Sequence, residues 1–173
     1  MKGVLLDTNV YGQLILDKAV AKDMLDLMPS LLLIYGSEVV RAELRDVSKK
    51  EKVEDKSKRM LLLNLYDALT QEEDRTYRTT PFIEILSLQY FDEYSKLEGK
   101  KGYEELRKDF VIIATASIHG LDVVVSSDTK TMLSDEAKEA YENVNDKNQL
   151  RTPQLLVYEE LKGLLRRLKD ERA

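Results

Sequence analysis

The chain has 173 residues, 43% of them apolar and 34% charged, and a formal net charge of -5. That length suits one globular unit burying roughly 70% of its extended surface, and the balance excludes a disordered acidic chain and a protein held to nucleic acid by bulk positive charge. With no cysteine and one histidine, His119, disulfides, thiolate nucleophiles and zinc ribbons are excluded, and metal chemistry must rest on oxygen.

Met1-Lys2-Gly3 leads directly into an apolar run without a signal peptide, and nothing approaches the roughly 18 apolar residues of a membrane span. A cytoplasmic protein with no membrane association is expected. Gly3 to Leu6 reads as a strand stopped by Asp7-Thr8-Asn9, and apolar positions at helical spacing predict one amphipathic helix from Val10 to Met28, closed by Pro29. Leu31 to Tyr35 is a second buried strand, and Ser37 caps a helix to about Val47.

Ser48 to Arg59 is a mixed charge run, read as a solvated helix face or loop. It opens a longer helical segment at about 48–102, with helices over Met60 to Leu69 and from Pro81 to about Leu97. Tyr90 and Tyr94, four apart, are read as packing residues. A helix over about Tyr103 to His119 ends at Gly120 and delivers the strand Val123-Val124-Val125. His119 is read as structural, a cation at a helix end. The remainder reads as a helix near Lys130 to Tyr141, a short strand around Glu142 to Val144, and a C-terminal helix at about 153–170 with Pro153 in its first position.

Strands alternating with helices require crossover connections, hence a parallel sheet of four or five strands covered by helices on both faces, with ligands at the carboxyl ends of the strands. Two acids, Asp7 and Asp128, follow apolar strands and fall at that edge. Glu43 has Val39, Val40, Asp46 and Val47 at its three- and four-residue spacings and shares the apolar face, and neither Arg41 nor Arg45, two positions away, is a natural partner along the helix. Asp109 precedes Phe110 to Ala116, a stretch apolar all round and therefore buried. Burying an unpaired carboxylate costs several kcal/mol, so each acid needs a distant base or a cation. Four acids at one sheet edge would demand a divalent ion or retained protons, and an all-oxygen site selects Mg2+ or Mn2+.

Four stretches carry a resemblance. Val4-Leu5-Leu6-Asp7-Thr8-Asn9, Ser37 to Leu44 with Glu43, Asp109 to Ala116, and Val124-Val125-Ser126-Ser127-Asp128 resemble, in order and setting, the four acidic motifs of PIN-domain ribonucleases such as the VapC toxins. The resemblance spans Met1 to about Val144. It implies a PIN-like three-layer α/β/α sandwich over 1–173 and a metal-dependent endoribonuclease, either the toxin of a toxin-antitoxin pair or an RNA-processing enzyme. Asp7, Glu43, Asp109 and Asp128 would hold Mg2+ or Mn2+ as the catalytic set. Thr8, Asn9 and Ser126 would support them, the last in place of a more usual threonine. Many members carry another acid two residues after the fourth. Here that position is Lys130, which argues against a fully occupied second metal site and could contact a substrate phosphate. The implied partners are an RNA substrate, an antitoxin protein and a second copy of the chain. The alternative is a catalytically inactive PIN-like binding or scaffold protein. An aspartyl-phosphate enzyme built on Asp7 is disfavoured, since Asn9 stands where such enzymes need an acid.

Overall fold

A computed structural model of the protein describes residues 1–71 and 75–173. The chain begins with β1 (Lys2–Leu6), α1 (Thr8–Leu14), α2 (Lys18–Leu27), β2 (Leu32–Ser37) and α3 (Glu38–Asp46). A small antiparallel hairpin, β3 (Lys52–Val53) and β4 (Lys56–Ser57), leads into α4 (Lys58–Thr70), β5 (Thr76–Tyr77), α5 (Pro81–Lys96) and α6 (Tyr103–Ile118). Then follow β6 (Val123–Val125), α7 (Asp135–Lys147), β7 (Gln154–Leu156) and α8 (Tyr158–Arg172).

Five strands form a parallel sheet in the order β5-β2-β1-β6-β7, flanked by the helices in the expected α/β/α arrangement. The central strand β1 is read from both sides, Val4 opposite Ile34 on β2 and opposite Val123 on β6. Val4, Leu5 and Leu6 are buried, which explains why β1 is continuously apolar rather than alternating. The chain winds outward from β1 through β2 to β5, then crosses back to β6 and β7 on the other side. The strand order therefore reverses beside β1, and the carboxyl ends of β1 and β6 form the switch point at which open α/β sheets bind ligands.

Tertiary contacts and local caps redraw several predicted elements. The single helix over Val10 to Met28 is two, because the Asp17 carboxylate accepts the Val20 amide at 3.3 Å and starts α2. The charge run contains the β3–β4 hairpin, whose turn residues Glu54 and Asp55 both have positive φ, the conformation of a tight two-residue hairpin. The segment at about 48–102 is thus helical only in α4 and α5, and it also supplies the edge strand β5; residues 72–74 lie outside those described. At Gly36 of β2 a Cβ would lie 1.9 Å from the Tyr66 hydroxyl of α4, so a glycine is needed where that helix crosses.

The predicted helix at Lys130 begins later, at Asp135, because Ser134 caps it and residues 128–131 form a turn. The expected strand at Glu142 to Val144 lies inside α7. The C-terminal helix expected at about 153–170 starts at Tyr158, and Gln154–Leu156 is instead the edge strand β7. Pro153 suits the entry to an edge strand as well as a helix start, and the helix is fixed later, where Glu160 accepts the Val157 amide at 2.9 Å. Tyr90 and Tyr94 are buried, as packing residues should be. His119 does end α6, but its ring stacks on Tyr77 at 3.6 Å and partial burial lowers its pKa, so it serves as a packing ring rather than a helix-end cation.

Candidate active site

Asp7 closes β1 and caps α1, and it is only 6% exposed. Its backbone amide donates to the Val125 carbonyl at 2.9 Å, tying the end of β1 to the end of β6. Both oxygens of its carboxylate accept hydrogen bonds. Oδ1 accepts the Thr8 amide at 2.7 Å, and Oδ2 accepts the Ser126 hydroxyl at 2.7 Å and the Asn9 side-chain amide at 2.9 Å. Asn9 also accepts the Ser127 amide at 3.0 Å, so one side chain joins the segments after β1 and β6. Thr8 supports Asp7 through its main chain; its own hydroxyl is buried without a hydrogen-bond partner among the described residues.

Asp128 sits in the turn after β6. Its Oδ1 accepts the amides of Lys130 at 3.0 Å and Thr131 at 2.9 Å, while its own amide donates to Ser126 Oγ at 3.0 Å. Ser126 thereby orients two of the acids. Asp109, in the second turn of α6, meets Asp128 across one group: the Thr131 hydroxyl lies 2.6 Å from Asp109 Oδ2 and within hydrogen-bond distance of Asp128 Oδ2. A hydroxyl has one proton, so it donates to one carboxyl at a time and accepts from the other.

The electrostatics agree with that sharing. Burial pushes Asp109 up to about 7 despite the Thr131 hydrogen bond, and the charges of Asp7, Asp128 and Glu43 add to the shift. Burial also raises Asp7, with Glu43 and Asp128 contributing. For Asp128 the hydrogen bonds from Thr131 and Lys130 outweigh partial burial, and its pKa is lowered. Asp109 is therefore the member of the pair that retains a proton near neutrality.

Glu43 on α3 feels Asp7 and Asp109 but has a base of its own: Lys108 Nζ is 3.3 Å from Glu43 Oε1, from the residue beside Asp109 on α6. Asp7, Asp109 and Asp128 make no ion pair among the described residues. Four carboxyls from β1, α3, α6 and the turn after β6 thus share one electrostatic neighbourhood. They are not drawn in to ligating distance: among the described residues no three acidic or imidazole side chains stand close enough to hold an ion as they are. The donor set, all oxygen, fits a hard divalent cation.

Lys130 lies beside the acids on the surface. Sequence reasoning missed Thr131, Lys108 and Gln13, which accepts the Ser127 hydroxyl at 2.6 Å. Thr131 had a readable signal, since Asp-x-x-Thr after a strand is a self-bonding turn. Lys108 had none, because its pairing with Glu43 is set by how α3 and α6 pack.

Comparison with known proteins follows the same lines. The PIN domain family matches residues 4–135. No curated protein is similar enough in sequence to count as a relative. Among solved structures, the fold is similar to that in DNA-bound VapBC from Salmonella typhimurium, with a TM-score of 0.56, 20% identity, and coverage of 91% of this chain and 97% of that one. It is also similar to that in VapBC2 from Rickettsia felis bound to a promoter DNA fragment, with a TM-score of 0.54 and 14% identity over 90% of this chain and 98% of that one. The match to FitAB bound to a DNA fragment has a TM-score of 0.50 at 19% identity, covering 89% and 94%. Motif order, sheet topology and the span of the family match agree, and the chain belongs to the PIN domain family.

Proposed function

We propose that the protein is an endoribonuclease that hydrolyses RNA phosphodiesters with Mg2+ or Mn2+ held by Asp7, Asp109 and Asp128, with Glu43 completing the set. The observation that carries this reading is the convergence of four carboxyls on the switch point of the sheet, three of them in no ion pair among the described residues. Membership in the PIN family supports it. When bound, the divalent ion supplies acidification of the attacking water and neutralisation of the phosphate.

The chain's own residues set the geometry. Ser126 and Asn9 hold the Asp7 carboxylate, and the amides of Lys130 and Thr131 hold that of Asp128. Water attacks phosphorus in line, the bond to the 3′ oxygen breaks, and the products carry a 5′ phosphate and a 3′ hydroxyl. A carboxylate oxygen not engaged in binding takes the proton from the water. Lys130, exposed and two residues from Asp128, would meet a substrate phosphate.

The role of a toxin bound by an antitoxin fits the similarity to VapBC and FitAB complexes, and pairing with a second copy is part of that reading. The inactive-scaffold alternative draws on the Glu43–Lys108 pair. Incubation with structured RNA, with and without Mn2+, decides between them. Cleavage by the native chain giving 5′-phosphate ends, reduced at least about 100-fold in Asp7→Asn, is expected. Equal cleavage by Asp7→Asn, or none by the native chain, ends the nuclease reading.

A further inference from the structure

On the far side of α3 from Glu43, a polar cleft of about 210 Å³ is lined by Glu38, Arg41, Arg45, Thr76 and Arg78. Three guanidiniums therefore border one opening against a single carboxylate. That carboxylate is occupied, because Glu38 Oε1 accepts the Thr79 amide at 2.7 Å. Arg41 is anchored by Asp67 at 3.3 Å and lies over the Tyr66 ring at 5.9 Å, yet its Nε is buried with no hydrogen-bond partner. Arg45 and Arg78 are exposed, and their guanidiniums make no ion pair or hydrogen bond among the described residues. Arg45 and Arg78, beside an Arg41 that Asp67 holds in place, bring to one opening guanidinium forks of the kind that match the oxygens of a phosphate.

Position identifies the anion. The cleft sits where β2 hands over to α3 and β5 ends, on the same sheet edge as Asp7 and Asp128. Arg41 and Arg45, four apart, share one face of α3, while Glu43 between them faces α6. A strand crossing this helix travels about 10–12 Å, a span of a few nucleotides. We propose that the Arg41–Arg45–Arg78 cleft binds a backbone phosphate of the RNA strand whose scissile bond lies over the acids. This rests on the nuclease reading, and it places the register of the substrate on the β2–β5 side of the site.

The test measures binding apart from cutting. In an Asp7→Asn background with Mn2+, affinity for a fluorescent single-stranded RNA is followed by anisotropy as salt is varied. Adding Arg45→Gln with Arg78→Gln is expected to weaken binding about tenfold and to flatten the slope of log affinity against log salt by about 0.7, the share of one phosphate contact on a single strand. The control pair Arg166→Gln with Arg167→Gln, on α8, removes the same charge and is expected to change affinity less than about twofold. Unchanged affinity in the first pair, equal losses in both pairs, or no RNA binding by the parent overturns the proposal. Cleavage by the otherwise native chain is scored separately. Unchanged binding with intact cleavage removes the cleft and leaves the nuclease standing, whereas arginine-dependent binding without cleavage keeps the cleft and ends the nuclease.

Discussion

Ser126 holds two acids at once, donating its hydroxyl to Asp7 and accepting the Asp128 amide. Removing it takes one of three hydrogen bonds from the Asp7 carboxylate and the acceptor of the Asp128 amide, and groups that orient metal ligands typically carry about 10–100-fold in affinity. Ser126→Ala is therefore expected to weaken Mn2+ binding by that factor in calorimetric titration. Asp109 makes the apo protein sensitive to pH. Its pKa in the fold, about 7, is above its ordinary 3.8, so the folded chain holds this proton more tightly than the unfolded one. Its contribution to stability is full below about pH 4 and is lost as pH rises through 7. Asp7 is shifted the same way, and Asp128, lowered, the opposite way. In EDTA, Asp109→Asn should gain stability over the native chain between pH 5 and pH 8, by roughly 2–4 kcal/mol in urea unfolding. Mn2+ should raise the melting temperature of the native chain more at pH 8 than at pH 5, and equal shifts at both would contradict the assigned proton.

The helices behind the site are held by a buried polar knot as well as by apolar packing. The Tyr90 hydroxyl of α5 lies 2.6 Å from Asn145 Oδ1 of α7 and 3.1 Å from Ser117 Oγ of α6, and the Asn145 amide donates to Ser117 at 3.0 Å and Thr152 at 2.9 Å. Tyr90→Phe keeps the ring packed against Phe110 and Tyr141 but strands the Asn145 oxygen, so a loss of about 1–3 kcal/mol in equilibrium unfolding is expected. Elements whose signal is local were legible: β1, α3 with its Ser37 cap, the apolar helix α6 and β6. Those that depend on partners were not. β5 has two residues and exists because Gly36 and Ser37 pair with it, and β7 is indistinguishable from a helix start until β6 offers an edge.

The family match ends at residue 135, yet the sheet does not. β7 covers one side of β6, and Leu161, Leu164, Leu165 and Leu168 of α8 are buried in the same core. A chain ending at Leu150 would lose these and expose Val123 to Val125 along an open edge, inviting association. Such a truncation is expected to lose the monodisperse native species on size exclusion. A folded, stable truncation would show instead that 1–173 is not one cooperative unit. No helix among the described residues is long and apolar enough to cross a membrane.

Composition and order of residues alone determined the parallel sheet and located Asp7 and Asp128 at its carboxyl edge, because apolar runs ending in carboxylates mark strand ends wherever they occur. Which side each strand takes, the Thr131 hydroxyl shared between Asp109 and Asp128, the Lys108 partner of Glu43 and the arginine cleft behind α3 were decided only in three dimensions. Each joins groups on different elements or across a turn, and nothing local to either partner encodes the packing that brings them together.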